Sequence, residues 1–124
     1  MSKIKIIAVD DETLNLSIVK LLLQQENLDV ATTDSSEKCL HIMANEQFDI
    51  VLLDIMMPVI NGLDLCKKIK KIFPDVIIIF LTGCTDDEAI ENSFNAGGFD
   101  YIKKPINKTE LIARIHNAIR IKKA

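Results

Sequence analysis

Two hydrophobic periods alternate along this chain, and that alternation restricts its fold more than any other feature. Ile4–Val9, Phe48–Leu53 and Val76–Leu81 are short runs dominated by Ile, Val and Leu. Such runs suit strands buried on both faces, as in a parallel sheet. Val30–Thr33 and Phe99–Ile102 are weaker strand candidates, expected nearer the sheet edges. Between the runs lie helical stripes: Leu14, Ile18, Leu21 and Leu22; then Leu65, Ile69 and Ile72; then Leu111, Ile112, Ile115, Ala118 and Ile119. A helix from about Glu88 to Ala96 carries only Ile90 and Phe94 and is expected to be the least firmly packed. Asp34 with Glu37, Thr85 with Glu88, and Asn107 with Glu110 have the spacing of N-terminal capping boxes. The expectation is an α/β fold, a doubly wound five-stranded parallel sheet with five helices on its two faces, joined by right-handed crossovers.

At 124 residues the chain fits one domain, residues 1–124, with enough length to bury a core without staples. The net charge of −3 argues against general nucleic-acid binding. No apolar run approaches the roughly 18 residues of a membrane span, and the N-terminus does not read as a signal peptide. Three cysteines without a C-x-x-C pair read as reduced thiols, which suggests a cytoplasmic protein. Cys39 and Cys66 lie on helical stripes and read as small core residues, whereas His41 and His116 read as surface residues. Lys67, Lys68, Lys70 and Lys71 read as a solvated helix face, and Arg120, Lys122 and Lys123 as charges opposing a helix dipole.

In doubly wound sheets ligands bind beyond the carboxyl ends of the strands, so the residues that follow each strand carry the function. Asp10, Asp11 and Glu12 follow the first strand, and Asp54 with Met56 and Pro58 follows the third. Thr82 and Gly83 follow the fourth strand, and Lys103, Lys104 and Pro105 follow the fifth. Carboxylates converging on one rim repel one another unless a cation sits among them. All-oxygen donors favour Mg²⁺, which takes one or two carboxylates, a phosphate and water. A lysine and a hydroxyl opposite would hold phosphate oxygens. The chemistry implied is a phosphoryl group on or beside Asp54.

Asp10-Asp11, Asp54 with Pro58 and Gly62 at fixed offsets, Thr82, and Lys104-Pro105 together resemble the receiver domain of two-component response regulators. The resemblance runs from Lys3 to about Ile121 and includes Ala96-Gly97-Gly98-Phe99-Asp100-Tyr101. It implies a flavodoxin-like strand order, 2-1-3-4-5. It implies that Asp54 is the phosphoacceptor, taking a phosphoryl group from a phosphohistidine on a sensor histidine kinase or a histidine phosphotransfer protein. Asp11 would then bind Mg²⁺ directly and Asp10 through water, with Asp54 and the backbone carbonyl of Met56 completing the set. Lys104, ahead of a cis Pro105, would pair with phosphoryl oxygens, and Thr82 would donate its hydroxyl. Tyr101 matches a switch aromatic, turning inward as Thr82 moves and changing the face built from the fourth helix, fifth strand and fifth helix. That face would meet a downstream effector or a second copy, and neither direct nucleic-acid binding nor a membrane role is expected. Met56 and Cys84 would flank the phosphoryl group and lengthen its lifetime, because neither positions water well.

Other chemistries fit less well. A phosphohydrolase of the haloacid dehalogenase class would show D-x-D after the first strand, where this chain has Asp10-Asp11-Glu12-Thr13. A flavodoxin-like cofactor binder would offer Ser, Thr and Gly amides to a phosphate, which this acidic loop would repel. A degenerate receiver acting only as a scaffold would lack one of the key residues, and all are present.

Overall fold

The computed structural model describes residues 3–57, 59–83 and 86–124. The elements run β1 (Lys5–Val9), α1 (Thr13–Gln24), β2 (Asp29–Thr33), α2 (Ser36–Asn45), β3 (Ile50–Asp54), α3 (Gly62–Ile72), β4 (Ile77–Thr82), α4 (Asp87–Asn95), β5 (Asp100–Lys103) and α5 (Lys108–Lys123). The strands form one parallel sheet in the order β2-β1-β3-β4-β5. The expected doubly wound α/β architecture and strand order are therefore observed. The two weaker strand candidates are the sheet's edges, and the three apolar runs are its centre. Every residue of β3 and β4 is buried, which is why those runs show no alternation.

Successive strand residues point to opposite faces, so the core splits into two layers. Ile6, Ala8, Leu52, Ile79 and Ile102 meet Leu16, Val19 and Leu23 of α1 and Leu111, Ile115 and Ala118 of α5. Ile7, Val9, Val51, Leu53, Ile78 and Phe80 meet Cys39 and Met43 of α2 and Leu65, Cys66 and Ile69 of α3. Both cysteines are core residues, and burial pushes the Cys39 thiol up to about 12 and the Cys66 thiol up to about 11.

Several helical expectations need correction. Most of the first stripe faces solvent: Leu14 and Leu21 are 71 % and 58 % exposed and Ile18 is exposed, Leu22 packs against the core, and Leu16, Val19 and Leu23 are the buried set. Helix α1 is apolar on two faces, and both sets have helical spacing, so periodicity alone cannot choose between them. Ile72 also leaves its stripe for solvent, and Cys66 takes a buried place. The caps of α2 and α4 fall one residue later than expected, on Ser35 and Asp86, whose side chains accept from Lys38 N and Ala89 N. Asp34 instead pairs with Lys38, and Thr85 lies outside the described residues. The cap at Asn107 is as expected. Lys70 is not simply solvated, since its ammonium donates to the carbonyls of Pro74 and Val76.

Candidate functional site

Strand order reverses between β1 and β3, which opens a crevice beyond their carboxyl ends. Asp10 follows β1 and Asp54 ends β3, so the topology alone sets these two carboxylates side by side. Both are almost fully buried. Asp54 pairs in register with Leu81, which places Thr82 one step further along the neighbouring strand. Thr82 pairs in turn with Lys103, and Lys104 N donates to Thr82 O. The four sequence-predicted groups Asp10, Asp54, Thr82 and Lys104 thus share one rim.

The Lys104 ammonium lies 3.1 Å from Asp10 Oδ2, 3.2 Å from Asp54 Oδ1 and 3.6 Å from Glu12 Oε1. The Lys104–Pro105 peptide bond is cis. Among the described residues one cation therefore serves two buried carboxylates and a third that is largely exposed. That is too little positive charge for the site. Burial first, then the charge of Asp10, pushes the Asp54 carboxyl up from 3.8 to about 7, against the opposing pull of Lys104. Burial lowers the pKa of Lys104, but its hydrogen bonds and charge attraction to Asp10 and Asp54 outweigh that and raise it.

Asp10, Asp11 and Glu12 offer carboxylate oxygens that all lie within 4.8 Å of one another. Asp11 and Glu12 are exposed and Asp10 is buried. An all-oxygen donor set with surplus negative charge suits a hard divalent cation. The residues present therefore fit the metal that the sequence implied.

Backbone and side-chain donors fix the two buried carboxylates. Asp10 Oδ1 accepts from Glu12 N at 2.9 Å, and Asp10 Oδ2 accepts from Asn15 Nδ2 at 3.3 Å. Asp54 Oδ1 accepts from Met56 N at 3.2 Å. Sequence reasoning gave Met56 a role through its carbonyl, not through this N–H, and it missed Asn15. The only sequence signal of Asn15 is its place five residues after Asp10, in the first turn of α1. Gly62 lets the β3–α3 loop fold back over the strand end: a Cβ there would lie 2.1 Å from Asp54 O. Its N–H donates to Ile55 O at 2.8 Å.

Tyr101 on β5 is half-buried, edge-on to Phe94 with ring centroids 6.3 Å apart, and Arg114 lies 6.0 Å from its ring. Arg114 also pairs with Asp100 at 3.4 Å. The Met56 side chain is 75 % exposed beside Asp54. Pro58 and Cys84 lie outside the described residues.

A sequence model described as the response regulator receiver domain matches residues 6–116. The chain is 36 % identical to the response regulator SaeR of Staphylococcus aureus over 119 residues, 95 % of this chain and 52 % of that protein. It thus spans about half the length of the curated relatives it matches. A CheY-like response regulator receiver domain protein from Methanospirillum hungatei is 32 % identical, with a TM-score of 0.92 over 98 % of each chain. A response regulator receiver domain protein from Clostridium thermocellum is 36 % identical, with a TM-score of 0.89 over 97 % of each chain.

Proposed function

The chain belongs to the receiver domains of two-component response regulators, and on that premise we propose that Asp54 accepts a phosphoryl group with Mg²⁺ bound beside it. The observation that carries this reading is the single lysine shared by two buried carboxylates, with Asp10 at 3.1 Å and Asp54 at 3.2 Å. A buried pair of acids with one cation between them is costly as a purely structural device. It serves well where a dianionic group must join.

Asp10, Asp11, Asp54 and the Met56 carbonyl would hold Mg²⁺, Asp11 directly and Asp10 through water. A cation held there would offset the repulsion between a carboxylate and an incoming phosphoryl group. A carboxylate oxygen of Asp54 attacks phosphorus in line. The O–P bond forms as the N–P bond to the partner's imidazole breaks, and the electron pair leaves with that nitrogen. Lys104 moves onto a phosphoryl oxygen and the Thr82 hydroxyl donates to another. The same residues support slow return of the phosphoryl group to water. Met56 and Cys84 slow that return, because neither side chain orients a nucleophilic water.

The donor is a phosphohistidine of a sensor histidine kinase or a histidine phosphotransfer protein. The readout is the α4–β5–α5 face, where Tyr101 turns inward as Thr82 moves, and its occupant is an effector or a second copy. Acetyl phosphate with Mg²⁺, followed by intact-mass measurement, tests the acceptor. Wild type should gain about 80 Da, the mass of one phosphoryl group, and Asp54→Asn should gain nothing. An equal gain in Asp54→Asn would move the acceptor elsewhere.

A further inference from the structure

We propose that Asn15 is a positioning residue that keeps Asp10 in place when Lys104 leaves it for the phosphoryl group. The inference rests on the reading of Asp54 as acceptor and extends it to a residue outside the acidic cluster. Asp10 is fully buried, so every oxygen lone pair left without a donor is costly. Its Oδ1 takes the Glu12 N–H, a backbone donor that does not leave while α1 stays folded. Its Oδ2 has two side-chain donors, the Lys104 ammonium at 3.1 Å and the Asn15 amide at 3.3 Å. A carboxylate only accepts, so the amide nitrogen of Asn15 must face it.

The two donors differ in what draws them away. Lys104 is a cation, already 3.2 Å from Asp54 Oδ1, and a phosphoryl group on Asp54 would pull it further from Asp10. Asn15 is neutral and sits in the first turn of α1, where its own N–H is tied to Glu12 O at 3.1 Å. It has little attraction to the new anion and stays. Without it, the departure of Lys104 would leave Oδ2 of a buried carboxylate with neither of its two side-chain donors, and Asp10 would be free to swing from its place beside the cation. Partners that orient a metal's direct ligands typically carry 10–100-fold in affinity, and the lower end applies to Asn15, because Asp10 would itself reach the metal through water.

Asn15→Ala tests this, since alanine is the strongest helix former and leaves α1 able to form. Two quantities are read. One is the apparent Mg²⁺ dissociation constant by calorimetry with beryllofluoride present, the state in which Lys104 leaves Asp10. The other is the melting temperature in EDTA and with saturating Mg²⁺ and beryllofluoride, a phosphoryl mimic. The expected result is roughly tenfold weaker Mg²⁺ binding and a larger loss of melting temperature in the loaded state than in the free state. Asn15→Gln, which retains an amide donor, should recover part of both. A structural side chain would lower both states equally and leave the dissociation constant within about twofold; that outcome overturns the proposal, as does an absence of recovery in Asn15→Gln. Wild type treated with acetyl phosphate separates the two readings. If it gains no phosphoryl mass, the acceptor assignment fails, and with it the departure of Lys104. If it gains the mass while Asn15→Ala shows no difference between states, the role of Asn15 alone fails.

Discussion

Val59 adopts a φ of +70° and is 92 % exposed. A β-branched residue in the left-handed region is a genuine outlier, and the conformation costs a non-glycine residue roughly 1–2 kcal/mol. Its side chain is almost wholly in solvent, so little packing is lost by removing it. Glycine adopts this φ freely but gives the unfolded chain more freedom, at a cost of about 0.5–1 kcal/mol. Val59→Gly should therefore stabilise the fold by up to about 1 kcal/mol, read as a higher urea midpoint; a lower midpoint would mean the loop is not strained there. Gly62, three residues on, is the opposite case, since a side chain there would strike the backbone of Asp54. The offset of Gly62 from Asp54 was visible in the sequence, though its steric reason was not. Val59 gave no signal, because a valine between a proline and an isoleucine looks like any apolar loop residue. Asn15 was missed for a similar reason: asparagine on a helix is ordinary until a buried carboxylate is found within its reach.

Among the helices, the contrast between α1 and α4 shows what periodicity can and cannot resolve. In α1 apolar residues fill two faces, and only the sheet decides that Leu16, Val19 and Leu23 are the buried set. In α4 the thin stripe does correspond to sparse burial: Ser93 is the one buried residue of the helix, and Phe94 is 45 % exposed. The Ser93 hydroxyl bonds within its own helix, to Ala89 O. Among the described residues, the side-chain contacts from other elements lie near the carboxyl end of α4. The Cys66 thiol donates to Ala96 O at 3.3 Å, and Phe94 meets Tyr101. The amino-terminal half of α4 should therefore open locally at lower free energy than α3 or α5. Hydrogen exchange should show faster exchange in α4 than in α3, with beryllofluoride changing protection mainly between residues 82 and 104. Protection in α4 equal to that in α3, unaltered by the mimic, would remove α4 from the switch.

For the whole molecule, the topology that brings Asp10 and Asp54 together also makes stability depend on pH. Fold class and the strand-end positions of the candidate site were legible because α/β sheets place ligands at strand ends; the charge balance there was not, since burial and separations exist only after folding. Burial and the neighbouring Asp10 push the Asp54 carboxyl up to about 7, against an ordinary value of 3.8. Between those values the folded chain holds a proton that the unfolded chain has released. Folding is then favoured by acid, and the site's contribution to stability falls as pH rises from about 4 to about 7. Lys104, raised above 10.5, contributes stability that persists below that value and is lost only at more alkaline pH, outside this window. In EDTA, the urea midpoint should therefore be higher at about pH 5.5 than at about pH 8. Asp54→Asn should flatten the dependence, because its amide has no proton to exchange. Saturating Mg²⁺ favours the ionised carboxylate and should reverse the slope, as binding strengthens with deprotonation. A midpoint that rises with pH in EDTA, or a slope that survives in Asp54→Asn, would mean that Asp54 is not the group that burial and Asp10 hold protonated.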